Sequence, residues 1–151
     1  MKVKIINKSR YPLPRYAHEG DAGMDLRWDA PDDGMDAVTA TIPPLGRVIL
    51  PTGLYIQLPE GTEAQIRPRS GLAAKQGVTV LNSPGTIDCT FRGEIKVILV
   101  NLSAHNVVIK GGERIAQMVL AKHEYIDWDD RVPELEDTIR GEGGFGSTGT
   151  Q

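Results

Sequence analysis

The chain has 151 residues, 40% of them apolar and 25% charged, with a formal net charge of −3 at pH 7. That length suits one domain with a sizeable core, and the ordinary composition argues against general disorder. A net negative balance lacks the clustered basic charge that a DNA or RNA backbone requires, so no nucleic-acid partner is expected.

Ten prolines and seventeen glycines break the chain into short pieces that read as strands. In VKIIN (3–7), Val3 and Ile5 alternate with lysines. RVILPTG (47–53) follows, and in GLYIQLPEG (53–61) Leu54, Ile56 and Leu58 fall on one face of a period-two segment. TEAQIRPR (62–69), VTVLN (78–82), EIKVILVNL (94–102), NVVIKGG (106–112) and RIAQMVL (114–120) complete the set, each bounded by Gly, Pro or Asn. This spacing is that of an all-β sandwich or barrel. EIKVILVNL is apolar on both faces, which predicts a strand covered on both sides, by the domain itself or by a partner subunit. The single helical candidate is SGLAAKQG (70–77), with Ser70 as N-cap and Gly77 as the stop. WDAPDDGMDAV (28–38) reads as a solvated loop, and 124–144 runs from the last strand into the tail with little periodicity. Trp28 and Trp128 are expected in the core or an interface.

Cys89 is the only cysteine, so no intrachain disulfide is expected. MKVKIINKSR at the start has no apolar stretch of signal-peptide length, and no window approaches the roughly 18 apolar residues of a membrane span. The expectation is a cytoplasmic protein without a membrane partner. His18, His105 and His123 lie far apart without metal-ligand spacing, so any metal should arrive with a ligand.

Five stretches are not explained by strand logic: DAGMDL (21–26), PRSGLA (68–73), NSPGTIDCTFRGE (82–94), GERIAQ (112–117) and the tail RGEGGFGSTGTQ (140–151). Singly, each has a plain structural reading. Asp25 can be solvated in a turn entering a strand, Arg114 and Gln117 can be outward residues of an edge strand, and Asp88 and Phe91 can be a turn residue and a core residue. Together they supply the donors a polyphosphate needs. Ser70 and Gly71 offer a hydroxyl and backbone N–H groups, with the Arg69 charge beside them and Gln117 as a neutral donor. The tail adds Arg140 and the N–H groups of Gly146, Ser147 and Thr148. Phe145, flanked by glycines, can stack on a nucleobase, a contact worth about 1 to 3 kcal/mol. SPGTIDCTF reads as a tight β-hairpin that brings Asp88 and Phe91 near each other, with backbone to pair a pyrimidine edge and a carboxylate to orient a water. Cys89 reads as a small packing residue.

In this order the five stretches resemble the motifs of the homotrimeric dUTPase family, from about Ala22 to Gly149. The resemblance implies a distorted jelly-roll or β-clip domain over 1–136, a flexible C-terminal arm over 137–151, and a homotrimer with active sites at subunit interfaces. It further implies Mg²⁺-dependent cleavage of dUTP to dUMP and pyrophosphate, which limits uracil in DNA and supplies dUMP for dTMP synthesis. Carried over residue by residue, it makes Asp88 the base that activates water, and Asn82, Gly85, Thr86 and Ile87 the readers of uracil. Arg69, Ser70, Gly71 and Gln117 would hold phosphates, with Asp25 anchoring Arg69. The tail would close over the nucleotide, Phe145 stacking on uracil, Arg140 reaching the terminal phosphate, and Gly146 and Ser147 lending N–H groups. Mg²⁺ would ride on the substrate phosphates rather than on protein ligands.

One position departs from the family pattern. Phe91 stands where the third motif normally has tyrosine, keeping the ring that excludes a ribose 2′-hydroxyl and losing only the phenol. Two alternatives stand beside the hydrolase: a dCTP deaminase-like enzyme of shared fold, and a catalytically silent nucleotide-binding trimer.

Overall fold

The computed structural model describes residues 1–31 and 38–144. Among the described residues the order is β1 (Lys4–Asn7), β2 (Gly23–Arg27), β3 (Thr39–Ile42), β4 (Arg47–Pro51), β5 (Leu54–Gln57), β6 (Thr62–Arg67), α1 (Ser70–Gln76), β7 (Val78–Val80), β8 (Gly85–Ile87), β9 (Lys96–Asn101), β10 (Val107–Lys110) and β11 (Arg114–Lys122). The fold is mostly β with one short helix. The strands are short because Pro, Gly or Asn punctuates nearly every connection, and they pair antiparallel in four small sheets: β1-β5, β10-β3, β2-β11-β6-β8 and β4-β9-β7.

Period two decides which faces are dry. In β5, Leu54 and Ile56 point inward with Leu58 just beyond, and in β6 Thr62, Ala64 and Ile66 alternate with half-buried neighbours. The inward sets meet in one core around Leu26, Ile42, Ile95, Leu99, Ile109 and Ile115. β9, the strand expected to be covered on both faces, lies between β4 and β7, with Val97, Leu99, Val100 and Asn101 buried. Trp28 is buried in the core, Cys89 packs against it, and Trp128 is 80% exposed.

The helix starts one residue away from the expected cap. Arg69 occupies the N-cap in extended conformation and Ser70 is the first helical residue, with no side-chain cap hydrogen bond. The stop is as expected: Gly77, at φ 66°, donates its N–H to the carbonyls of Leu72 and Ala73. DAGMDL, which reads as a turn entering a strand, is already strand from Gly23, where β2 begins and runs to Arg27, and β3, which has no counterpart among the expected strands, follows the acidic segment and pairs with β10.

Beyond β11, residues 124–144 form neither helix nor strand, and their large apolar side chains Tyr125, Ile126, Trp128, Leu135 and Ile139 are exposed. No helix among the described residues is long and apolar enough to cross a membrane.

Asn101, fully buried, ties the end of β9 to its surroundings. Its Nδ2 donates to the carbonyls of Ile42 (2.8 Å) and His105 (2.7 Å), and its Oδ1 accepts the Ser103 N–H at 2.8 Å. Leucine of similar volume would leave these backbone groups unpaired. Asn101→Leu is therefore expected to destabilise the fold by about 3 kcal/mol, read from urea denaturation. An unchanged midpoint would mean that these groups find other partners.

Candidate active site

Sheet register collects the first group of functional side chains. Gln117 on β11 stands opposite Asp25 on β2 and Arg67 on β6, so these three share one face across adjacent strands. An irregularity in the β11–β2 register lies between Arg114 and Ala116. Such a bulge re-aims a side chain, and here the Arg114 guanidinium meets Asp25.

Asp25 is held by two arginines. Arg69 Nε donates to Oδ1 at 2.8 Å and Arg114 Nη1 donates to Oδ2 at 2.9 Å, while Arg69 Nη1 donates to the Arg114 carbonyl at 3.0 Å. The side chains are 24% (Arg69), 31% (Asp25) and 52% (Arg114) exposed, so the cluster is partly desolvated and still reachable. With one carboxylate and two guanidiniums it keeps a surplus positive charge. Gln117 joins from the next strand, its Nε2 donating to the Pro68 carbonyl at 2.9 Å, immediately before Arg69. Ser70 and Gly71 are exposed beside the cluster, and the Cα of Gly71 faces open space.

The second group lies on β8, at the opposite edge of the same sheet, where Gly85, Thr86 and Ile87 pair with Ile66, Gln65 and Ala64. The expected tight hairpin is instead one short strand, paired with β6 and followed by a turn. The Phe91 N–H donates to the Asp88 carbonyl at 3.1 Å, and Arg92 Nη1 closes the turn onto the carbonyls of Cys89 (2.6 Å) and Phe91 (2.7 Å). Asp88 and Asn82 are exposed. Phe91 is 40% exposed, which sets aside its reading as a core residue, and its ring lies against the Gly93 Cα.

Three strand spacings separate β2 from β8, roughly 14 Å. Among the described residues no hydrogen bond or ion pair links Asp25, Arg69, Arg114 or Gln117 with Asn82, Asp88 or Phe91. Arg140 also stands apart, exposed, with its Nε bonded to the Gly143 carbonyl at 2.8 Å. Phe145, Gly146 and Ser147 lie outside the described residues.

Arg114 is the residue the sequence reading passed over as an outward edge-strand position. β11 is internal, between β2 and β6, and Arg114 is fixed at both its carbonyl and its guanidinium. A signal was present in GERIAQ, an arginine three residues before Gln117, but only the bulge reveals its direction.

A family model described as dUTPase matches residues 9–149. Two curated relatives, both called deoxyuridine 5'-triphosphate nucleotidohydrolase, come from Finegoldia magna, 52% identical over 99% of each chain, and from Cytophaga hutchinsonii, 56% identical over 97% of this chain and 91% of the relative. Among solved structures, a Staphylococcus bacteriophage 80alpha dUTPase variant with dUpNHpp superposes with a TM-score of 0.81 at 22% identity, over 98% of both chains. A dUTPase variant from phage phi11 of S. aureus, described as revealing the coordination of a structural Mg(II) ion, gives 0.76 at 18% identity, over 91% of this chain and all of that one. These structural likenesses speak for the fold, and the family match with its close sequence relatives speaks for descent: this chain belongs to the dUTPase family.

Proposed function

We propose that this chain hydrolyses dUTP to dUMP and pyrophosphate as a homotrimer of jelly-roll subunits, with 137–151 as an arm that closes over the nucleotide. The observation that carries this reading is the division of the site. A cationic cluster suited to phosphates (Arg69, Ser70, Gly71 and Gln117, with Asp25 as support) sits at one part of the sheet, and the Asp88 turn sits at the other edge. Two copies placed with these regions facing would complete a site that one copy leaves in halves.

In the assembled site, Asn82 and the backbone of Gly85, Thr86 and Ile87 pair with the uracil edge. Uracil presents acceptor, donor, acceptor, and cytosine changes two of these, leaving fixed groups unpaired. Asp88 takes a proton from a water as that water attacks the α-phosphorus, and the bond to the bridging oxygen breaks to release pyrophosphate. Arg69 and the Gln117 amide hold phosphate oxygens while Arg140, Phe145, Gly146 and Ser147 close from the arm.

The donor chemistry of the cluster fits a Mg²⁺ ion carried on the phosphates. Asp25, its one carboxylate, already receives a guanidinium on each oxygen. When bound, Mg²⁺ would offset charge on the phosphates.

The test is pyrophosphate release from dUTP, dCTP, dTTP and UTP with Mg²⁺, for the full chain and for one ending before Arg140. Release from dUTP alone, collapsing on truncation, is the expected result. No release from any nucleotide would overturn the reading. Because Phe91 keeps the ring bulk, UTP should be turned over far more slowly than dUTP, and Phe91→Ala should narrow that gap; equal rates in the unaltered chain would remove Phe91 from this role.

A further inference from the structure

We infer that Gly23 is a positioning residue whose missing side chain makes room for the Gln117 carboxamide. The inference rests on the reading above that Gln117 contacts the substrate phosphates.

Gly23 begins β2, where an extended strand gives no conformational reason for glycine: its φ is not in the left-handed region. Glycine in a strand costs backbone entropy and often marks close approach of another group. Here that group is a side chain. A Cβ built on Gly23 would collide with Gln117 Oε1, and would lie 3.3 Å from Gln117 Cδ and 3.4 Å from Val119 Cγ2. The backbone of neither strand is among these near contacts.

The other end of the amide is tethered. Gln117 Nε2 donates to the Pro68 carbonyl at 2.9 Å, so the carboxamide lies between Gly23 of β2 and the peptide that leads into Arg69. A primary amide nitrogen carries two hydrogens, and this bond uses one, leaving the second for a ligand oxygen. A methyl at position 23 would push Oε1 aside and turn the amide away from this orientation. Because the displaced atom is the tip of a flexible side chain, the fold should absorb the change while the amide loses its aim.

The experiment compares Gly23→Ala, Gln117→Ala and the double variant in steady-state dUTP hydrolysis, with urea unfolding of each. A lost hydrogen bond to a charged acceptor corresponds to roughly a 10- to 100-fold fall in kcat/KM. Gly23→Ala is expected to show such a fall, carried mainly by KM, at an unchanged unfolding midpoint. In the double variant kcat/KM should be no lower than for Gln117→Ala alone. If Gln117→Ala is unimpaired, the placement of Gln117 at the phosphates fails and the inference falls with it. If Gln117→Ala is impaired but Gly23→Ala is not, or if the two losses multiply, the inference alone is overturned. Should Gly23→Ala unfold, Gly23→Ala/Val119→Ala removes the nearest side chain after Gln117, 3.4 Å from the added Cβ, and is judged against Val119→Ala by the same ratios.

Discussion

Asp88→Asn should lower kcat for dUTP by roughly 10²- to 10⁴-fold, the range for loss of a general base, while nucleotide affinity stays near that of the unaltered chain. The structure makes this substitution clean. The Asp88 side chain is exposed, and the turn it begins is closed through its backbone carbonyl, which asparagine keeps. Folding should therefore be indifferent to the change, and any loss belongs to chemistry. Initial rates of pyrophosphate release, set beside calorimetric titration with a non-hydrolysable dUTP analogue, separate the two quantities. Near-normal kcat would falsify the assignment of Asp88 as base and leave it an ordinary turn residue.

Asp25→Ala is expected to have the second largest effect, a fall of about 100-fold in kcat/KM. Each oxygen of this carboxylate holds one guanidinium, so the alanine frees both Arg69 and Arg114 at once. Arg69 then keeps only its bond to the Arg114 carbonyl and loses a preferred direction. The pairs are partly solvated, so the stability cost should be only on the order of 1 kcal/mol, far too little to explain a hundredfold loss by unfolding. Asp25→Asn should fall between, because an amide can accept from one arginine and not from both. Steady-state rates with urea midpoints decide the matter. An Asp25→Ala variant within twofold of the unaltered chain would mean that Arg69 needs no anchor.

The parts of this fold that could be read from the sequence are those in which one residue type had one reason to be where it is. Leu54, Ile56 and Leu58 alternate because one face of their segment is dry, and Gly77 ends the helix because only glycine readily turns left-handed there. β3 was missed because its four residues, TATI, carry one large apolar side chain, Ile42, and its partner β10 lies far along the chain. DAGMDL reads from sequence as a turn entering a strand, because glycine and aspartate are poor strand formers, and the pairing that makes a strand of Gly23–Arg27 comes from β11, far along the chain. The same holds within the site. Arg69 and Gln117 fall together because both are donors suited to a polyphosphate, and Asp25 joins them through the family resemblance, whereas the direction of Arg114 depends on a bulge with no sequence marker. The separation of the Asp88 turn from the arginine cluster is a property of strand order and direction, β8 running back along β6 away from Arg69, which periodicity along one chain does not encode.

The two tryptophans sit at opposite extremes of environment, Trp28 at 4% exposure inside the core and Trp128 at 80% in the segment beyond β11. The chain thus carries two tryptophan fluorophores, excited selectively over its four tyrosines at the red edge of the absorption band, that answer different questions. Acrylamide, a neutral quencher that the carboxylates of Asp127, Asp129 and Asp130 do not repel, will quench exposed Trp128 far more than buried Trp28, so quencher-accessible emission follows what happens to the segment after β11. The protected, blue-shifted component follows only the integrity of the core. Covering of that segment, by subunit or by nucleotide, can be followed in the unlabelled protein as a loss of the quenchable fraction.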